Sequence, residues 1–326
     1  MLIAAPNLTL DRILRIDELR PGEVLRFSEA TVAPGGKGVN VARVCRAMGF
    51  PAVLVAMAPG RTGLAVVELL KDERLNVVPV TTSSEVRAAS IVLERSGRVT
   101  VLNEPGPVVD DTEWGAFEDA VDRHLSDHRY LVCIGSTPPG SPPDGYARLV
   151  SLAKERGAGS LVDAAGATLA SALRVGTDLV TPNLAEAEGL ILGSTPQPAA
   201  ERSSEVAERA MQAAVALAAR GAAAAVVTAG AGVAAVRGTE RWWTDAPDVE
   251  ERNPIGAGDS LVGGLVGSLE RGDDLRTALQ VGIAAASASV ETDLSGLVDP
   301  KRVVQLTRLV SPGSDVREEF PRRCPR

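Results

Sequence analysis

The sequence predicts an α/β fold, a mainly parallel sheet flanked by helices and carrying a small β-sheet lid, and three observations support this. Apolar runs of strand length alternate with amphipathic runs of helix length over most of the chain. Two stretches replace that alternation with a period-two pattern of apolar and charged residues. Two Gly-rich turns each open directly into a helix-like segment.

Taken in chain order, strands are expected at residues 2–5, 52–57, 130–134, 160–163, 179–182 and 224–228, with helices at 39–48, 63–72, 112–125, 145–156, 203–220 and 257–270. In the first helix Arg43 and Arg46 separate from Val41, Val44 and Met48 onto a polar and an apolar face. The two exceptional stretches, about 11–33 and 86–106, read as hairpins with one wet face. In the second, Ile91, Leu93, Val99 and Val101 flank the turn Arg95-Ser96-Gly97-Arg98. Too short to fold alone, they are expected to cover the end of the parallel sheet where its loops converge. The stretch 311–326 is rich in proline and charge and is expected to be a flexible tail.

Composition limits the function classes. Net charge is -8 and no dense Lys/Arg run occurs, which excludes polyanion and membrane-surface binding by counterion release. A single phosphate group needs only a few convergent cations. Cys45, Cys133 and Cys324 are an odd, widely spaced set with only His124 and His128 as possible co-ligands, so a disulfide framework or structural zinc is not expected and a cytoplasmic setting is. The first residues lack the pattern of a signal peptide. The longest uncharged stretch, 221–236, falls short of the roughly 18 residues of a membrane span.

Four motifs bear on chemistry. In Asn253-Pro254-Ile255-Gly256-Ala257-Gly258-Asp259, a Gly-Ala-Gly turn opens a helix and presents unpaired N–H groups at the positive end of the helix dipole, a ready anion site. Asp259 in the first turn then serves either as a base for an attacking hydroxyl or as an ordinary dipole partner. In Pro34-Gly35-Gly36-Lys37-Gly38-Val39-Asn40 the glycines admit a ligand close to the backbone, Lys37 brings a cation and Asn40 a two-way amide; the spacing is not that of a Walker A loop. Asn183 and Glu186 lie on one helix face at i and i+3, suited to hydrated Mg²⁺ or to a helix cap. Gly230-Ala231-Gly232-Val233-Ala234-Ala235 fits a dinucleotide fingerprint, but residues 237–244 read as a hairpin turn and strand, not the helix that chemistry requires. Arg26, Lys37, Arg43 and Arg87 are the basic residues placed to meet a phosphate if the lid closes on the Gly36 turn.

Together with APNLTLD (5–11), NEPGP (103–107), GSTPPG (135–140) and PNLAEAE (182–188), the segments PGGKGVNVAR (34–43) and IGAGDSLVGG (255–264) resemble, in order, the PfkB or ribokinase-like carbohydrate kinases, nearest the 1-phosphofructokinase and tagatose-6-phosphate kinase branch. The resemblance implies one Rossmann-like kinase domain over 1–310 with a lid that often forms a homodimer contact, ATP and Mg²⁺ as cofactors, and a sugar phosphate as acceptor. It implies Asp259 as catalytic base, Gly256, Ala257 and Gly258 as anion hole, and Asp11, Gly36, Lys37, Asn40, Arg87 and Arg26 as substrate contacts. Asn183, Glu186, Thr228, Gly230 and Gly232 would serve ATP and Mg²⁺, Glu186 through water. The chain departs from the family pattern at Ala89, where the lid segment usually carries Asn, and at Thr181, which usually is Lys.

Overall fold

The computed structural model describes residues 1–27, 30–193, 203–311 and 314–315. From the N terminus, β1 (Leu2–Ala4) leads into β2 (Thr9–Ile16) and β3 (Ala30–Gly35), then α1 (Lys37–Met48), β4 (Val53–Met57), α2 (Gly60–Asp72) and β5 (Val77–Val80). Next come β6 (Arg87–Glu94), β7 (Val99–Asn103), α3 (Asp111–Leu125), β8 (Tyr130–Ile134), α4 (Gly145–Glu155), β9 (Gly159–Asp163), α5 (Gly166–Val175), β10 (Thr177–Val180) and α6 (Leu184–Leu192). The remainder is α7 (Ser203–Ala219), β11 (Ala222–Thr228), β12 (Gly232–Arg237), β13 (Glu240–Asp245), α8 (Ala257–Arg271), α9 (Leu275–Val290), α10 (Pro300–Thr307) and β14 (Ser314–Asp315).

The large sheet has the order β14-β13-β12-β11-β10-β9-β8-β1-β4-β5, parallel from β11 to β5 and antiparallel beyond. The chain leaves β1 first toward β4 and β5, then resumes on its other side with β8, β9 and β10. The β1/β8 boundary is therefore the topological switch point, where loops diverge and leave a crevice at the carboxyl ends of the strands. One apolar layer joins the sheet to α1, α8 and α9 through Val41, Val44, Leu261, Leu265 and Ile283. The other joins it to α3, α4, α5 and α7 through Phe117, Leu149, Leu169 and Leu217.

Glycines set how closely the first layer packs. A Cβ on Gly263 would lie 2.9 Å from Val44, one on Gly264 2.8 Å from the Val281 carbonyl, and one on Gly267 2.1 Å from Phe50. Helix α8 is thus pressed between α1 and α9, and α1 and α8 begin side by side at the crevice.

The two expected hairpins form one sheet of order β3-β2-β6-β7, in which β2 pairs antiparallel with β3 and parallel with β6. The parallel pairing joins segments distant in sequence, which hairpin signals do not reveal. The 95–98 turn closes as expected, with Gly97 N–H donating to the Glu94 carbonyl at 2.9 Å. After Gly230 the chain enters β12, antiparallel to β11, so the dinucleotide fingerprint has no helix behind it. Most of the expected tail lies outside the described residues; Ser314–Asp315 adds a short edge strand beside β13. Among the described residues, no helix is long and apolar enough to cross a membrane.

Candidate active site

A cleft of about 730 Å³ opens at the switch point, bounded by the ends of β1 and β8, the starts of α1 and α8, and the inner face of the small sheet. Its floor is the 253–259 turn. Asn253 ties this turn down: its Oδ1 accepts from Ile255 N–H at 3.0 Å, its Nδ2 donates to the Asp293 carbonyl at 3.1 Å, and its own N–H donates to the Val290 carbonyl at 3.0 Å. Gly256 caps α8 with φ +82, a left-handed geometry in which a Cβ would also lie 2.9 Å from Ser295. The α8 bond from Ser260 N–H to the Gly256 carbonyl, 2.9 Å, comes after Gly258 and Asp259, whose N–H groups open the helix at its positive end. Among the described residues a Cβ on Gly258 would meet nothing within 4 Å, so packing does not demand glycine there, and the open space beside this residue lies in the cleft.

Asp259 is 6% exposed, and its Oδ2 accepts from Asn40 Nδ2 at 2.8 Å. Burial pushes its carboxyl up to about 7, with Asp163 and Glu186 adding to the rise and Lys37 and the Asn40 hydrogen bond opposing it. A carboxylate poised near neutrality suits a general base. Lys37 donates to Asp163 Oδ1 at 2.7 Å and lies 3.7 Å from Glu186. Burial works against its charge, but Asp163, Asp259 and Glu186 outweigh that and hold it well above the ordinary lysine range. It therefore faces the β9 and α6 side of the cleft rather than the lid where Asp11 and Arg87 stand.

On the lid side, the Asp11 carboxylate lies over Gly35, where a Cβ would come within 2.1 Å of it. Burial raises Asp11 to about 6 against the pull of Arg43 and Arg87. Arg87 donates to the Glu104 carbonyl at 3.1 Å and the Asn7 carbonyl at 3.4 Å, while its buried Nε has no partner among the described residues. Burial lowers its pKa, with Asp11 and Glu104 opposing that fall. An incompletely matched guanidinium in a cleft is a place for an anion.

Asn183 and Glu186 form a full capping box at the start of α6: Asn183 Oδ1 accepts from Glu186 N–H at 2.9 Å, and Glu186 Oε2 accepts from Asn183 N–H at 3.0 Å. Both line the cleft, as does Thr228, which bridges to Asn183 across the sheet end. Among the described residues no group of three or more His, Cys, Asp or Glu side chains is placed to hold a metal ion. A divalent cation caged by protein therefore does not fit here; one held mainly by phosphate oxygens and water, with Glu186 behind the water, does.

Arg26, Gly230 and Gly232 fall outside the cleft. Arg26 is exposed in a separate depression with Arg15 and Phe27, Gly230 is an exposed left-handed turn, and Gly232 is glycine because a Cβ would lie 2.5 Å from Trp243. Sequence reasoning gave no site role to Asp163, nor to Ser136 and Asn103, which line the cleft. Asp163 ends a parallel strand at the cleft, is 3% exposed and accepts from Thr181 Oγ1 at 3.1 Å; its position at a carboxyl strand end is the signal that marks it.

Residues 7–302 match the pattern of the pfkB family of carbohydrate kinases. The chain is 30% identical over 292 residues to the ATP-dependent 6-phosphofructokinase isozyme 2 of Escherichia coli (strain K12), covering 88% of this chain and 91% of that protein. It is 27% identical over 295 residues to the 1-phosphofructokinase of Bacillus subtilis (strain 168), covering 89% and 92%. Among solved structures, phosphofructokinase-2 from Escherichia coli in complex with fructose-6-phosphate superposes with a TM-score of 0.83 at 27% identity, over 95% of this chain and 98% of that one.

Proposed function

The chain belongs to the pfkB family of carbohydrate kinases, with the ribokinase-like fold, and from that premise we propose that it transfers the γ-phosphoryl group of ATP to a hydroxyl of a sugar phosphate. Fructose 1-phosphate, yielding fructose 1,6-bisphosphate, is the first acceptor; fructose 6-phosphate, tagatose 6-phosphate and a polyol or cyclitol phosphate are the alternatives within the same chemistry. The observation that carries this reading is that Asp259, buried at the head of α8, faces a cleft whose opposite wall carries Arg87, an arginine whose Nε has no partner among the described residues. One supplies a base beside an anion-binding turn and the other a contact for a phosphate already on the acceptor.

In this reading the acceptor hydroxyl lies against Asp259, whose carboxylate takes its proton as the new O–P bond forms. The Gly258 and Asp259 N–H groups meet the charge that builds on the transferred phosphoryl oxygens. Asp11, Asn40 and Gly36 orient the acceptor, and Lys37 balances the carboxylates around the reacting centre. Mg²⁺, when bound with the nucleotide, supplies charge neutralisation, and Glu186 would reach it through water. The small sheet excludes water that would otherwise hydrolyse ATP. Its exposed Val32 and Leu102 support a homodimer through the lid, and the tetrameric inhibited form of Escherichia coli phosphofructokinase-2 among the similar structures supports oligomerisation in general.

A non-catalytic sugar-phosphate sensor is the other reading, and the intact pairing of Asn40 with Asp259 disfavours it. ADP formation measured across phosphorylated and free ketoses and cyclitols separates the two: a kinase turns over a phosphorylated acceptor. Equal kcat/KM for a free ketose, or no ADP with any acceptor, contradicts the proposal.

A further inference from the structure

Arg43 is 1% exposed, so its charge must be matched inside the protein. All five guanidinium N–H groups are used. Nε and Nη2 form a fork on Glu73, both at 2.7 Å; Nη2 also donates to the Pro34 carbonyl at 2.8 Å, and Nη1 donates to the Ser295 carbonyl and to Asn40 Oδ1, each at 3.3 Å. An ion pair with Glu73 alone would neutralise the charge. The remaining contacts reach the root of the lid, the segment between α9 and α10, and Asn40, the partner of Asp259.

The bond to Asn40 has a directional consequence. A guanidinium only donates, so the Asn40 atom facing it is the oxygen, and the amide nitrogen is left to face Asp259. Asn40 is also boxed in: a Cβ on Gly256 would lie 3.0 Å from its Nδ2 and one on Gly296 2.6 Å from its Cα. Turned over, the amide would set its oxygen against the Asp259 carboxylate.

We propose that Arg43 is a positioning residue for Asp259: it fixes the Asn40 carboxamide so that Nδ2 donates to the carboxylate, and through Pro34 it ties that setting to the root of the lid. The inference rests on the reading of Asp259 as the base. Charged groups facing Asp259 are Lys37, Asp163 and Glu186, and substitutions at Arg43, Asn40 or Glu73 leave all of them in place.

The test is a double-mutant cycle of Arg43→Lys and Asn40→Ala, read as kcat at saturating acceptor and as the position of the acidic limb of its pH profile. Lysine keeps the charge, but its donors all sit on one nitrogen and cannot reach Glu73 and Asn40 together as the spread guanidinium does. Arg43→Lys is expected to lower kcat about tenfold and to move the limb to higher pH, because a carboxylate that loses a donor is harder to ionise. In the Asn40→Ala background the same substitution is expected to add little. Effects that multiply, or a fall in kcat with the limb unmoved, overturn the proposal and leave Arg43 a structural ion pair. If Arg43→Lys melts below the assay temperature, Glu73→Gln slackens the same guanidinium from its outer side, and the same two readouts decide. A wild-type profile with no acidic limb, or normal turnover by Asp259→Asn, defeats the assignment of the base itself and is recognised without the cycle.

Discussion

The two walls of the cleft are built differently. On the α8 wall, Asp259 and Asn40 are buried, the turn before them is bonded at Asn253 on three sides, and glycines press α1, α8 and α9 together. On the lid wall, four strands carry Asp11 and Arg87 while Val24 and Leu102 stand 84% and 63% exposed, and the lid's Arg15 reaches Asp293 through an exposed pair at 3.4 Å. Exposed pairs of this kind contribute little, about 0–1 kcal/mol. The proposed base therefore sits on closely packed, multiply bonded backbone, whereas the proposed contact for the acceptor's phosphate sits on a more exposed sheet with fewer ties to the rest of the fold.

The sharpest way to break that division is Asp259→Asn. It keeps shape and hydrogen-bond acceptance but removes the base, and kcat is expected to fall by about 10²–10⁴-fold with the circular dichroism spectrum unchanged. The folded state raises this carboxyl from 3.8 to about 7, so the stability its protonation contributes is lost as pH rises between those values and the loss is constant above about 7. The variant is accordingly expected to melt above wild type in mildly alkaline buffer, with the gap closing as pH falls and Asp259 takes up its proton. Thermal melts at about pH 8 and about pH 5, on either side of the folded-state value, check it.

Arg87→Ala addresses the other wall. Losing a charge-assisted contact costs about 1.5–3 kcal/mol, so KM for a phosphorylated acceptor is expected to rise roughly 10- to 150-fold while KM for ATP stays put. A loss confined to kcat would place Arg87 in the chemistry instead. Smaller effects separate the two glycines of the turn. Gly256→Ala forces a side chain into left-handed backbone against Ser295 and is expected to cost about 1–3 kcal/mol in a denaturant melt. Gly258→Ala meets no atom of the described residues within 4 Å and is expected to shift stability by less than about 0.5 kcal/mol, while still lowering kcat where its methyl group competes with a phosphoryl oxygen.

Legibility in the sequence follows the same division. Strand 130–134 and helix 257–270 are legible nearly to the residue because a buried parallel strand is an unbroken apolar run and α8 starts at a Gly-Ala-Gly turn. Helix α9 is not: it is Ala-rich and buried on several faces, so no amphipathic period survives. The lid reads as two hairpins because the β2/β6 pairing joins residues about 80 positions apart, beyond any local signal. In the site, Asp259, Asn40 and Glu186 announce themselves through Gly turns and a cap spacing. Asp163 does not, because a lone carboxylate at a strand end stands out only once the sheet order puts it beside Lys37. Gly232 misleads for the opposite reason: its motif is real, but the cause is Trp243.

The role of Asp259 is tested most directly by the pH dependence of kcat/KM for the sugar phosphate, which reports the groups of the enzyme before that substrate binds. If Asp259 must be ionised to accept the acceptor proton, kcat/KM is expected to rise with pH along an acidic limb with an apparent pKa of about 7, and Asp259→Asn is expected to lose that limb from its residual activity. A wild-type profile that is flat through this range, or an unchanged limb in Asp259→Asn, would contradict the assignment of Asp259 as the base.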